Sequence, residues 1–110
     1  MTVHTEVPTK VPIPWARIDA FCRKWGIVEF ALFGSVLRDD FGPESDVDVL
    51  VSFASGVHLT LFDLGDMEDE LAEIFGRPVD LVTRSAVATS ENPFRRKAIL
   101  DSARVIYAAA

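Results

Sequence analysis

The chain has 110 residues, and its 11 basic and 17 acidic side chains give a formal net charge of −6. This length predicts a single domain, and a composition of 49% hydrophobic and 25% charged residues excludes a disordered or fibrous chain. The acidic total argues against sequence-independent binding of duplex nucleic acid, which depends on Lys and Arg displacing counterions from phosphates. The charge is divided unevenly, because residues 1–82 carry a net charge of −9 and residues 83–110 carry +3.

The sequence predicts a cytoplasmic protein with no membrane partner. Its longest stretch without a charged side chain, residues 49–62, has fourteen residues, fewer than the roughly 20 apolar residues that a membrane span needs. The first ten residues include His4, Glu6 and Lys10, so they lack the apolar core of a signal peptide. The single cysteine, Cys22, cannot form an internal disulfide, which fits a reducing compartment.

The first third of the chain predicts an arm, a helix and a strand. Residues 1–13, with prolines at positions 8 and 12, predict a loose N-terminal arm, and residues 14–110 predict one domain. Pro14 suits the first turn of a helix, which has one apolar stripe and ends at Gly26. The stripe consists of Ile18, Phe21, Cys22 and Trp25. Residues 28–33 form an apolar run rich in β-forming residues and predict a buried strand that ends at Gly34.

The middle of the chain predicts a short helix and a second strand. Residues 35–40 suit a short helix that stops before the Gly42-Pro43 pair. Residues 46–53 alternate in polarity at first, which places Asp46 and Asp48 on one face of a strand and apolar side chains on the other. This second strand therefore presents two carboxylates on the same side.

The last part of the chain predicts two more helices and a third strand. Thr60 and Asp63 resemble a capping box, which begins a helix with an acidic, solvated face. Residues 77–83 predict the third strand, residues 83–90 a loop, and Asn92-Pro93 the start of a last helix that runs out into residues 105–107. This order of elements predicts an α/β or α+β fold.

Three features of the sequence point to phosphate and metal chemistry. Gly34 and Ser35 follow a buried strand and begin a helix, where free backbone N–H groups favour a phosphate. Asp46 and Asp48 project to the same side, about 6.5 Å apart along the strand, and two like charges held so close are unfavourable unless they share a cation. Asp80 completes a three-carboxylate site if the third strand lies beside the second.

A Gly-Ser pair, a gap of ten residues and an Asp-x-Asp that opens a valine-rich strand form a specific combination. With these residues the chain resembles the minimal nucleotidyltransferase family of the DNA polymerase β-like superfamily, and in particular the antitoxins paired with HEPN-domain toxins. The likeness covers residues 31–38, 45–51, 77–82, 92–96 and 103–107. It implies a small nucleotidyltransferase fold, with a short mixed sheet of three to four strands flanked by about four helices. Asp39 departs from the pattern, because many relatives have glycine there.

The resemblance implies Mg²⁺-dependent transfer of a nucleoside monophosphate, AMP from ATP, with loss of pyrophosphate. On the family's pattern, Gly34 and Ser35 hold the β- and γ-phosphates, Asp46 and Asp48 bind the Mg²⁺ pair, and Asp80 binds the metal next to the attacking hydroxyl. The implied acceptor is a hydroxyl of a HEPN-domain toxin, so the protein is expected to work in a homo- or hetero-oligomer.

The sequence allows two interpretations for Arg38 and two for the basic run at residues 95–97. Arg38, one helical turn beyond Ser35, either meets phosphate or pairs with a nearby acid at position 39, 40 or 44. The basic run at residues 95–97 either contacts phosphate or an acidic partner, or forms a solvated helix face.

Other functions of the same motifs fit less well. A haloacid-dehalogenase-type phosphatase needs its first Asp at the end of an apolar strand, whereas Asp46 precedes the apolar run. The sequence lacks the third acid and the glycine that an EF-hand loop needs. It also lacks the second glycine of the nucleophile elbow of a serine hydrolase. The alternative that stays open is a binding module with the same fold, which neutralises its partner by covering it, with little or no transfer.

Overall fold

The computed structural model describes residues 2–109, which form helices on both faces of a five-stranded sheet. The strands are β1 (Thr2–His4), β2 (Ile27–Phe33), β3 (Val47–Phe53), β4 (Val79–Thr83) and β5 (Arg104–Ala109). The helices are α1 (Trp15–Trp25), α2 (Leu61–Phe75), α3 (Arg84–Ala88) and α4 (Pro93–Ser102), with a 3₁₀ turn at Gly34–Leu37. Within residues 2–109 the strand order is β1-β5-β2-β3-β4, and only the β3–β4 pair is parallel, joined by a crossover through α2.

The mixed α/β class expected from the sequence is confirmed, but the sheet has five strands rather than three to four. The difference arises at the chain ends. Residues 104–109 form β5 between β1 and β2, although their alanines have a low preference for strands. The N-terminal segment is not a loose arm, because its residues 2–4 pair with β5, Val11 is buried, and Lys10 N–H donates to the Val36 carbonyl at 2.9 Å.

Two further local expectations are corrected by the structure. Residues 83–90 are not simply a loop, since they contain the short helix α3, whose first turn is capped by the Thr83 hydroxyl accepting from Ala86 N–H at 3.2 Å. The short helix expected at residues 35–40 is a four-residue 3₁₀ turn that begins one residue earlier, at Gly34.

The predicted end of α1 and the predicted start of α2 agree with the structure, whereas the last helix, expected to run out into residues 105–107, ends at Ser102 because residues 104–109 pair as strand β5. Gly26 closes α1 in the left-handed conformation, with φ of 73°, which glycine adopts at low cost. Thr60 and Asp63 form the complete capping box at the start of α2. The acidic face of α2 is only partly solvated, because Glu70 accepts from both Lys24 and Trp25, and Glu68 accepts the N–H of Leu81 on strand β4 at 3.1 Å.

The two faces of the sheet are buried by different helices. On one face, alternate strand residues such as Leu32, Val49 and Val79 join the buried side chains of α1 and α2 in the larger core. On the other face, a smaller core joins the sheet to α3 and α4. Its buried members are Ala31, Phe33, Leu50, Val87 and Ile99. Of the helices within residues 2–109, not one has the length and apolar character to cross a membrane.

Candidate active site

The register of the sheet places Asp48 beside Asp80. Residue 48 of β3 pairs with residue 80 of the parallel strand β4, and also with Phe33 at the end of β2. Side chains alternate along a strand, so Asp48 shares its face with Leu50, and Asp80 shares its face with Val82, both of which belong to the core under α3 and α4. The two carboxylates therefore lie on the same face, on strands about 4.8 Å apart.

Asp46 lies one residue before β3 and is exposed. The pKa of Asp48 is raised, first by partial burial of its carboxyl and then by the negative charges of Asp80 and Asp46. Asp46 and Asp80 thus lie close enough to Asp48 for their negative charges to act on its carboxyl. Within residues 2–109, however, no three Asp, Glu, His or Cys side chains form a ready-made metal cluster.

Gly34 is shaped by its contact with Asp48. Its φ is +74°, in the left-handed region that favours glycine, and a Cβ at this position would collide with Oδ2 of Asp48. The following 3₁₀ turn has only four residues, so it offers little of the dipole that a full helix would provide. What Gly34 contributes is close approach of the backbone to a carboxylate, with half-buried Ser35 next to it.

Arg38 makes the ion pair that was one of the two interpretations drawn from the sequence, and its contact with phosphate stays a prediction. Its Nε donates to Asp40 Oδ1 at 3.0 Å, and its positive charge also acts to lower the pKa of Asp48. Asp39, the residue that departs from the family's pattern, pairs with a residue that is not part of the candidate site. Lys10 donates to this fully exposed carboxylate at 2.8 Å and lowers its pKa.

An open cavity of about 330 Å³ adjoins Gly34 and Arg38. It is bounded by Val7, Pro8, Gly34, Leu37, Arg38, Ser102 and Arg104. A larger cavity, about 550 Å³, lies between α1 and α2 on the other side of the sheet. The smaller one therefore adjoins two of the candidate residues, Gly34 and Arg38, and is not lined by the candidate carboxylates.

Arg95 of α4 belongs to the basic run for which the sequence left two interpretations, contact with phosphate or an acidic partner and a solvated helix face. Its positive charge acts to lower the pKa of Asp48, as that of Arg38 does. The sequence does contain a signal for its position, since Arg95 precedes the apolar residue Ile99 by four positions, the spacing that places two side chains on one face of a helix.

The chain matches the sequence model of the family described as nucleotidyltransferase domain over residues 17–106. A Methanocaldococcus jannaschii protein, provisionally named a protein adenylyltransferase, is 34% identical over 87 residues, which cover 79% of this chain and 87% of the relative. A solved structure provisionally named a minimal nucleotidyltransferase superposes with a TM-score of 0.60 at 32% identity, covering 82% of this chain and 89% of that one.

A further solved structure has the same fold. It is a complex of a tri-AMPylated Shewanella oneidensis HEPN toxin with an MNT antitoxin, and the matched chain superposes with a TM-score of 0.59 at 19% identity, covering 86% of this chain and 69% of that one. The fold and the sequence match agree, and the chain belongs to the nucleotidyltransferase domain family, the transferases that move nucleotidyl groups.

Proposed function

We propose that this protein transfers AMP from ATP to a hydroxyl group of a HEPN-domain toxin and thereby acts as an antitoxin. The observation that carries the proposal is the pairing of Asp48 with Asp80 on neighbouring strands beside the left-handed Gly34. The name of the M. jannaschii relative supports adenylyl transfer, and the S. oneidensis complex supports a HEPN toxin as the acceptor.

In the proposed reaction, the acceptor oxygen forms a bond to the α-phosphorus of ATP. The bond from that phosphorus to the oxygen bridging to the β-phosphate breaks, and pyrophosphate leaves with the electron pair. The proton of the acceptor hydroxyl passes to the exposed carboxylate of Asp80. The backbone at Gly34 and Ser35 positions the β- and γ-phosphates, with Arg38 beside them. Such in-line transfer depends on positioning and charge neutralisation more than on covalent chemistry.

The donor set of the site fits Mg²⁺. Asp46, Asp48 and Asp80 would hold it, because carboxylate oxygens are preferred magnesium ligands and because the repulsion that raises the pKa of Asp48 would be relieved by a cation. When bound, Mg²⁺ would neutralise negative charge on the phosphates. Metal and nucleotide are expected to complete the arrangement together, since the carboxylates do not form a closed cluster by themselves.

The proposal is tested by labelling a purified HEPN-domain partner with [α-³²P]ATP. We expect Asp48→Asn and Asp80→Asn to reduce labelling by at least about 100-fold while thermal stability is retained, because each change removes charge repulsion. Asp66→Asn, an exposed aspartate on α2, is the matched control and should label at the wild-type rate. Persistent labelling in Asp48→Asn would contradict the site assignment.

The binding-module alternative is favoured by one observation, the absence of a ready-made three-ligand cluster within residues 2–109. Calorimetric titration with ATP, with and without Mg²⁺, separates the two functions. Catalytic transfer requires ATP binding that Mg²⁺ strengthens. A protein that forms a complex with the HEPN partner but binds no ATP under either condition would instead be a binding module.

A further inference from the structure

Helix α4 directs Arg95 toward the face of the sheet that carries the carboxylates. Ile99 is buried in the smaller core against the sheet residues of that face. Arg95 lies four residues earlier, hence on the same side of α4 and one turn nearer its N-terminus. The side chain of Arg95 also lines a small cavity of about 100 Å³ with Val82, and Val82 is two residues, about 6.6 Å, from Asp80 along β4.

The charge relations at the site agree with this placement. Asp48 is acted on by two negative charges, from Asp80 and Asp46, and by two positive charges, from Arg38 and Arg95. The two arginines come from different elements, the end of the 3₁₀ turn and the first turn of α4. Asp48 is thus reached by positive charge from two separate elements.

Arg95 differs from the other arginines near this face in being available to a ligand. Within residues 2–109 its guanidinium makes no hydrogen bond or ion pair, and only its backbone N–H is bound, by the cap residue Asn92. The others already donate to protein atoms: Arg38 to Asp40, Arg84 to Ser52, Arg96 to the Ser90 carbonyl, and Arg104 to three carbonyls at the end of α4.

We propose that Arg95 binds the α-phosphate of the nucleotide and stabilises the negative charge that develops on it during transfer. The proposal rests on the proposed function. A planar guanidinium can donate two parallel hydrogen bonds to phosphate oxygens. Preorganised positive charge at a transferring phosphoryl group is a large contribution to such reactions. Arg95 supplies that charge from the helix side, opposite the carboxylates of the sheet.

The neighbouring arginines Arg95 and Arg96 on α4 provide the test. Both carry a guanidinium, but of the two only that of Arg96 donates to a backbone carbonyl, that of Ser90 at 2.8 Å. We expect Arg95→Gln to lower kcat for AMP transfer by about 100-fold, with only partial recovery in Arg95→Lys. Arg96→Gln should retain kcat. In Arg95→Ala, guanidinium chloride at non-denaturing millimolar concentration should restore part of the rate, which a purely structural role would not allow.

Binding of α,β-methylene ATP, measured by calorimetry, separates this proposal from the proposed function. We expect at least about tenfold weaker binding in Arg95→Gln, one lost charge-assisted contact, and unchanged binding in Arg96→Gln. If the wild type binds the analogue but transfers no AMP from ATP to the partner, the proposed function fails while weaker binding of the analogue in Arg95→Gln still supports a phosphate contact.

Three results would overturn the assignment of Arg95. The first is an Arg95→Gln variant with the kcat and analogue affinity of Arg96→Gln. The second is a change confined to KM for the partner protein, which would make Arg95 a partner contact. The third is a wild-type chain that binds no nucleotide, which would overturn the proposed function as well.

Discussion

Replacing Gly34 by alanine tests the contact on which the candidate site is built. Two effects are expected from this single methyl group. The residue must keep φ at +74°, which costs a non-glycine residue about 1–2 kcal/mol, and the new Cβ must displace the carboxylate of Asp48. A carboxylate at the end of a side chain moves easily. The collision should therefore change the free energy of unfolding little but displace the Asp48 carboxylate from its position in the site.

Gly76→Ala is the matched control for the backbone strain. Gly76 has nearly the same φ, 72°, at the end of α2, and a Cβ there would meet no atom within 4 Å. Both variants should therefore lose about 1–2 kcal/mol in the free energy of unfolding, or roughly 4–8 °C in Tm for each kcal/mol. Only Gly34→Ala should also lose AMP transfer, by about 100-fold, since misplacing reacting groups by about 1 Å has this effect.

Urea unfolding and the labelling assay measure the two quantities separately. Equal losses of stability with a selective loss of labelling in Gly34→Ala are expected. Labelling of the partner by Gly34→Ala at the level of Gly76→Ala would show that the Asp48 carboxylate tolerates the shift and would contradict the role given to this contact.

Three other predictions concern separate parts of the structure. Gly65 is exposed within α2 with open space around it, so Gly65→Ala should raise the free energy of unfolding by about 0.5–1 kcal/mol in urea titrations; a loss would contradict the helix. Burial, followed by the charge of Asp19, raises the pKa of the Cys22 thiol from 9.0 to about 12. The folded state therefore favours the neutral thiol, and this contribution to stability is complete below pH 9 and is lost as the pH rises toward 12. The free energies of unfolding of wild type and Cys22→Ala, measured by urea titration across that pH range, should converge. A constant difference between them would contradict the raised pKa of Cys22. Phe94 on α4 and Phe62 on α2 are 85% and 86% exposed, on helices that cover opposite faces of the sheet. Phe94→Ala should raise KM for the HEPN partner, and Phe62→Ala should not. Equal effects of the two substitutions would rule out binding of the partner on the α4 side of the sheet.

Most helix ends and three strands of this fold could be predicted because their signals are local. The capping box of Thr60 and Asp63, the terminal Gly26 and the polarity alternation from Asp46 to Phe53 each depend on residues a few positions apart. Strand β5 was missed although Val105, Ile106 and Tyr107 are β-forming residues, because the last helix was expected to run on into them. The short helix α3 was missed because five residues carry only a weak helical signal. Residues 104–109 become a strand through hydrogen bonds to β1 and β2, partners distant in the sequence.

The sequence by itself determined the candidate residues and the side of the strand on which Asp48 lies, since alternation along a strand follows from backbone geometry alone. Tertiary structure alone decided what surrounds them. The parallel register sets Asp80 opposite Asp48, the end of β2 brings Gly34 against the Asp48 carboxylate, and the packing of α4 directs Arg95 to the same face. These relations depend on contacts between segments far apart in the chain, which local patterns of residues do not encode.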